Sequence, residues 1–194
     1  KGLGYQIAKS YLKFGSNLMI CSSNPNNIKK SYIKLKKKKK KNQKIFYLAI
    51  DVSSPKQVKK LVTFTIKKFK KIDILINNAG IYGPKGYIEK INWDDWVKTI
   101  EINLFGSILL CRAVIPYFKK NNKGKIIQLS GSAARPQPLI SGYAVSKTGI
   151  VRFVETISYE LKDYNIDINT VAPGLLKTKM LDQVLNSNKN KKFN

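Results

Sequence analysis

Short apolar runs alternate with longer amphipathic stretches along nearly the whole chain, and this alternation constrains the fold more than any other feature. Residues 18–21, 45–50, 72–76, 126–129 and 166–171 are the apolar runs. Runs of this length and density suit strands buried on both faces. Between them, segments 5–14, 27–40, 55–70, 93–119 and 142–162 carry apolar residues at helical spacing. The third of these opens with Ser54-Pro55-Lys56-Gln57, a capping-box spacing with proline at the first helical position. Gly15 fits a stop signal for the first. Strands alternating with helices imply right-handed crossovers and a parallel sheet covered by helices on both sides. The expected class is therefore α/β, a doubly wound three-layer α/β/α sheet. With 194 residues, 43% of them hydrophobic, the chain has material for one substantial core and one domain. The lysine run 36–41 is expected to end the second helix on its solvated side, with a linker as the alternative. The polar, aperiodic tail from Asn186 reads as disordered.

Charge and residue usage narrow the function classes. The formal net charge is +26, but of 37 basic residues only Arg112, Arg135 and Arg152 are arginine. Nucleic-acid readers draw on arginine for bidentate contacts to phosphate and guanine. A lysine excess spread over solvated faces points instead to compositional drift with non-specific adhesion, and no specific nucleic-acid partner is expected. The chain has no histidine. That excludes His-based acid/base catalysis, Ser-His-Asp triads and most zinc sites, so no metal is expected. Cys21 and Cys111 sit in apolar runs, which suits reduced, buried thiols and a cytoplasmic location. No apolar run approaches the ~20 residues needed to span a membrane, and residues 1–15 lack a signal-peptide core.

Several short motifs could carry chemistry. Gly2 and Gly4 open the first helix, either as a plain helix start or as a turn whose backbone N–H groups approach a pyrophosphate. Asp51-Val52 follows the second run, where the acid could accept from an adenine amino group or simply form an Asx turn with Ser53 and Ser54. Asn77-Asn78-Ala79-Gly80 directly follows a strand, at the carboxyl end where open α/β sheets bind ligands. Asn103 interrupts a long apolar helix and must find partners, structural or functional. Ser130 ends the 126–129 run. Tyr143 and Lys147 follow, four residues apart and so on one helix face. A lysine cation beside a phenol would lower its pKa from ~10 and let it exchange a proton with an alcohol oxygen. The same spacing occurs at Tyr5/Lys9 and Tyr32/Lys36, where no strand-end serine is near, so those read as surface pairs. Pro173-Gly174 with Thr178 four residues on closes a loop after the last run, or makes an ordinary turn.

In this order, a strand followed by NNAG, a mid-helix Asn, a strand-end Ser, YxxxK and PG with a nearby Thr, the motifs resemble the classical short-chain dehydrogenase/reductase family. Its 3-oxoacyl-carrier-protein reductase-like and sugar-alcohol dehydrogenase-like branches are nearest. The resemblance runs from Gly2 to about Thr178. It implies a Rossmann-like NAD(P)-binding domain over residues 1–180, with 181–194 starting a substrate lid and tail. It implies Tyr143 as acid/base, Lys147 tuning it and binding the nicotinamide ribose, Ser130 orienting a small-molecule carbonyl or alcohol, and Asn103 anchoring a water. Gly2, Gly4, Asp51, Val52, Asn77, Ala79, Gly80, Tyr143, Lys147, Pro173, Gly174 and Thr178 would contact or support the cofactor. Ser132 competes with Ser130 for the serine role. A homo-oligomer would form through segments 93–119 and 142–162.

Cofactor preference follows from charge. An acid after the second strand of the family would bind a ribose 2′-hydroxyl and repel a 2′-phosphate. Here Ser22-Ser23-Asn24 stands in its place, and Lys1 offers a cation, which favours NADP(H) over NAD(H). The resemblance also leaves both ends short: the first strand and first glycine of the turn, and the segments after Thr178, are missing from the pattern. Two rivals therefore stand beside the enzyme: a non-catalytic binding or scaffolding remnant, and a basic nucleic-acid-binding protein.

Overall fold

The computed structural model describes residues 2–131, 135–174 and 176. Among these residues, six α-helices and five strands, parallel wherever they pair, follow one another in the expected order. The helices are α1 (Gly2–Lys13), α2 (Pro25–Lys36), α3 (Pro55–Phe69), α4 (Trp93–Ile100), α5 (Gly106–Lys120) and α6 (Ser141–Glu160). The strands are β1 (Leu18–Ser22), β2 (Ile45–Ala49), β3 (Ile74–Asn77), β4 (Gly124–Leu129) and β5 (Ile166–Val171).

Local signals account for most boundaries. Asn24 caps α2, its Oδ1 accepting from the Asn27 N–H at 2.8 Å, and Pro25 fills the first helical position. Ser54 caps α3 with a longer bond from the Gln57 N–H, 3.4 Å. The Gln57 side chain does not close the box on Ser54; its Oε1 accepts from the Asp51 N–H at 2.9 Å. Gly15, at φ +96, ends α1 as its position suggested. The lysine run ends α2 on its solvated side, as expected: Lys36 is the last helical residue and Lys37 the cap, so the helix stops short of Lys40. Packing explains the stop, because Leu35 is the last fully buried residue of α2 and nothing apolar follows to hold another turn.

Among the described residues, hydrogen bonding divides the strands into two parallel sheets, β1-β2 and β3-β4-β5. The three-layer arrangement is complete at the first sheet. Leu18 and Ile20 pack with Ala8 and Leu12 of α1 and Leu35 of α2. Met19 and Cys21, pointing the other way, join Val58 and Leu61 of α3 and Leu110 of α5. That second cluster also takes in Leu75 of β3, so packing connects the two sheets. At β5 the expectation of burial on both faces fails. Ile166 and Ile168 are buried against α5 and α6, while Asp167 and Asn169 are exposed, and Asp167 pairs with Lys125 across the strands. The polar residues of IDINTV alternate with the apolar ones, and the backbone follows that period of two.

The 93–119 segment also needs correction. Trp93–Lys120 is one helical run of 28 residues, long and apolar enough to cross a membrane by length and composition. The expectation that no segment reaches that size was wrong, because the polar Asn103 and Ser107 mask the continuity of the run. Its Cys111, Val114 and Phe118 are instead buried in the largest core cluster.

Candidate active site

The long helical run is not uniform. Between α4 and α5, Glu101–Phe105 forms a π turn, and the Gly106 N–H donates to the Glu101 carbonyl five residues back. Such turns widen the helix by one residue and recur at functional sites. Here the widened turn turns Asn103 fully inward. Its Oδ1 accepts from the Ile81 N–H at 2.8 Å, and its Nδ2 donates to the Ile81 carbonyl at 2.8 Å and to Ser146 Oγ at 3.0 Å. One amide thus ties the loop after NNAG to the second turn of α6. Ser146, not singled out in the sequence, is fully buried and donates in turn to the Tyr143 carbonyl at 2.7 Å. A serine beside Lys147 on the inward helix face was the available signal.

Lys147 is buried, and its Nζ donates to the Leu129 carbonyl at the end of β4, 2.7 Å away. Gly80 explains how Lys147 and Asn103 share one space: a Cβ there would lie 3.2 Å from Asn103 Oδ1 and 3.6 Å from Lys147 Nζ. Tyr143 leaves α6 one turn earlier, half-buried, with its ring 4.8 Å from that of Tyr82. Ser130 is buried at the strand end, where its N–H donates to the Val171 carbonyl at 3.0 Å. Ser130, Tyr143, Lys147 and Asn103 therefore come together at the carboxyl ends of β3 and β4.

The electrostatics differ from the sequence expectation. Burial pushes the Tyr143 phenol up, and the neighbouring Tyr82 phenol adds to the rise. Burial pushes the Lys147 ammonium down to about 8. A lowered phenol was expected, but Lys147 Nζ lies 5.8 Å from the Tyr143 ring centroid and points at a backbone carbonyl. Desolvation therefore governs both groups here.

The residues assigned to cofactor binding divide by position. A Cβ at Gly4 would lie 2.6 Å from Asn78 Nδ2, so the start of α1 and the NNAG loop are in close contact. Asn77 is buried and donates to the Ser107 carbonyl at 3.1 Å, which fastens the end of β3 to α5. Ala79 is exposed beside it. Asp51 forms the Asx turn, its Oδ1 accepting from the Ser53 N–H at 2.9 Å and from Ser53 Oγ at 2.7 Å. Val52 is buried, and a Cβ at Gly106 would come within 2.7 Å of its Cγ2. Pro173 and Gly174 follow β5 without regular structure. Lys1, Ser132, Thr178 and the segment 181–194 lie outside the described residues.

Comparison with known proteins places this geometry. A family model for short chain dehydrogenase matches residues 1–189. "Dehydrogenase/reductase SDR family member 4" of Caenorhabditis elegans is 37% identical over 95% of this chain and 70% of its own length. The chain spans 53–69% of the length of seven other curated relatives. Among solved structures, a levodione reductase superposes with a TM-score of 0.92 at 27% identity, covering 98% of this chain and 74% of that one. An NAD+-bound xylitol dehydrogenase gives 0.89 at 25% identity, with the same coverage. The motif order, the parallel α/β architecture and these matches agree, and the chain belongs to the short-chain dehydrogenase family.

Proposed function

We propose that the chain carries the catalytic centre of an oxidoreductase that interconverts a carbonyl and a secondary alcohol of a small molecule with NADP(H). The observation that carries this reading is the meeting of Asn103 and Lys147 at the bare backbone of Gly80, with Tyr143 one helical turn before Lys147 and Ser130 directly after the Leu129 carbonyl that Lys147 contacts. The glycines fit a dinucleotide: nothing lies within 4 Å of a Cβ built on Gly2 or Gly174, and Gly2, at φ +65, starts a helix whose first N–H groups are free to meet phosphate. When bound, the nicotinamide supplies or accepts the hydride.

The proton belongs to the chain. Burial keeps the Tyr143 hydroxyl protonated at neutral pH, the form needed to donate to a carbonyl oxygen during reduction. Ser130, at the strand end beside it, holds the same oxygen. Lys147 binds the ribose, and as a cation it favours the phenolate left after transfer. Asn103 and Ser146 hold the second turn of α6 in register with the NNAG loop. NADP(H) is favoured because Asp51 is the first acidic residue of the chain, so no carboxylate from α1, β1 or α2 opposes a 2′-phosphate. Exposed Phe105 and Val145, on neighbouring helices, support a homo-oligomer, and buried or half-buried reduced thiols accord with a cytoplasmic setting.

The deciding experiment titrates NADPH and NADH against the intact protein and assays carbonyl reduction in wild type and Tyr143→Phe. Tighter NADPH binding, with turnover lost and binding kept in Tyr143→Phe, is expected. Failure to bind either nucleotide would remove the proposal.

A further inference from the structure

We propose that Gly131 is a positioning residue for Tyr143, because only a residue without a side chain leaves room for the phenol hydroxyl beside Ser130. The inference rests on the reading above, in which that hydroxyl passes the proton.

The geometry is as follows. β4 ends at Leu129, and the Ser130 N–H is fixed to the Val171 carbonyl at 3.0 Å, so the backbone leading into residue 131 is anchored. Gly131 then turns with φ +56, in the left-handed region. A Cβ built there falls well inside contact distance of Tyr143 Oη, and lies 3.4 Å from Cζ and 3.8 Å from Cε1. The tip of the phenol therefore occupies space that any other residue would fill. To restore an ordinary carbon–oxygen separation, the hydroxyl would have to retreat by about 1 Å. The Tyr82 ring, 4.8 Å from the Tyr143 ring, limits how far the phenol can shift to absorb this. A misplacement of this size at a reacting group costs roughly 100-fold in rate.

Two reasons for glycine, backbone conformation and side-chain room, are separable by experiment. Asparagine tolerates the left-handed region but carries the same Cβ. Gly131→Ala and Gly131→Asn are made in the intact protein and, for Ala, also in a Tyr143→Phe background. We expect both single variants to lower kcat for carbonyl reduction by roughly 100-fold, with NADPH affinity retained. We also expect Gly131→Ala to lower the Tm less when residue 143 is phenylalanine, because the atom in the way is then gone. Wild-type kcat in Gly131→Asn would overturn the proposal, since backbone conformation alone would then explain the glycine. Equal Tm losses in the two backgrounds would overturn it as well. If the protein binds no nucleotide and reduces no carbonyl, that failure belongs to the proposed function, and the paired Tm losses still decide the contact.

Discussion

Asn103→Ala is the perturbation whose size can be worked most directly from the structure. The Asn103 side chain is fully buried and makes three hydrogen bonds of 2.8 to 3.0 Å, two to the Ile81 backbone and one to Ser146. At about 1 kcal/mol net for each bond, their loss destabilises by about 3 kcal/mol. Alanine is the better helix former by up to ~0.7 kcal/mol, which offsets part of that. A net loss of about 2–3 kcal/mol remains, and at ~2–4 °C per kcal/mol for a domain of this size the Tm should fall by roughly 5–10 °C. Urea denaturation should show a lower midpoint at an unchanged m-value. The bridge to α6 is checked by adding Ser146→Ala. Because the two side chains share a bond, the double variant should lose about 1 kcal/mol less than the sum of the singles. A Tm within ~2 °C of wild type, or strict additivity with Ser146→Ala, would refute the idea that this amide clasps the loop to the helix.

Three further outcomes are expected. The folded-state pKa of Lys147, about 8, is below its usual 10.5, so the unfolded chain binds more protons between those values and stability of the nucleotide-free protein should rise with pH across that window. Lys147→Met should flatten the rise by up to ~1.4 kcal/mol per pH unit, and parallel wild-type and variant curves would contradict the lowered value. Above pH 10 the raised Tyr143 pKa acts with the opposite sign, its stabilisation being lost as the phenol ionises. Ser22→Asp places a carboxylate at the end of β1 and should shift the NADPH-to-NADH affinity ratio toward NADH by roughly 10-fold or more; equal ratios in titrations of both forms would remove the charge argument for NADP(H). Desolvation raises the Cys21 thiol to about 11 and the Cys111 thiol to about 12, so at pH 8 their thiolate fractions, and with them their rates with a chromogenic disulfide, should fall by roughly 100-fold and 1,000-fold, returning to ordinary speed once unfolded in urea.

The strand–helix alternation was legible because each element carries its own period, and β5 begins and ends where its apolar run does. The start of α2 was legible in principle from Asn24-Pro25, a cap followed by a proline, but the lysines downstream drew the segment too far toward Lys40. What the sequence concealed depends on space between elements. The π turn at Glu101–Phe105 leaves no compositional mark, because the same residues could continue an ordinary helix. Tyr143 and Lys147 were found by spacing, yet their ionisation went the other way from the expectation, since spacing reports proximity and says nothing of how much water has been excluded. Tyr82 was missed because nothing local distinguishes a stacked tyrosine from a surface one, and Ser146 because its one signal, its place beside Lys147, counts only once that helix face is known to point inward.

The meeting of α1 with the NNAG loop bears on how the two ends of the site are joined. A side chain at Gly4 would collide with the Asn78 amide, and Leu75 of β3 packs with Met19, Cys21 and Leu48 against Val58, Leu61 and Leu110. Among the described residues, the Asx turn of Asp51 and the proton-handling residues Ser130, Tyr143 and Lys147 are thus carried on elements joined through those contacts. A long ligand lying across both would act as a splint, and its binding would be felt as stiffness before it was felt as chemistry.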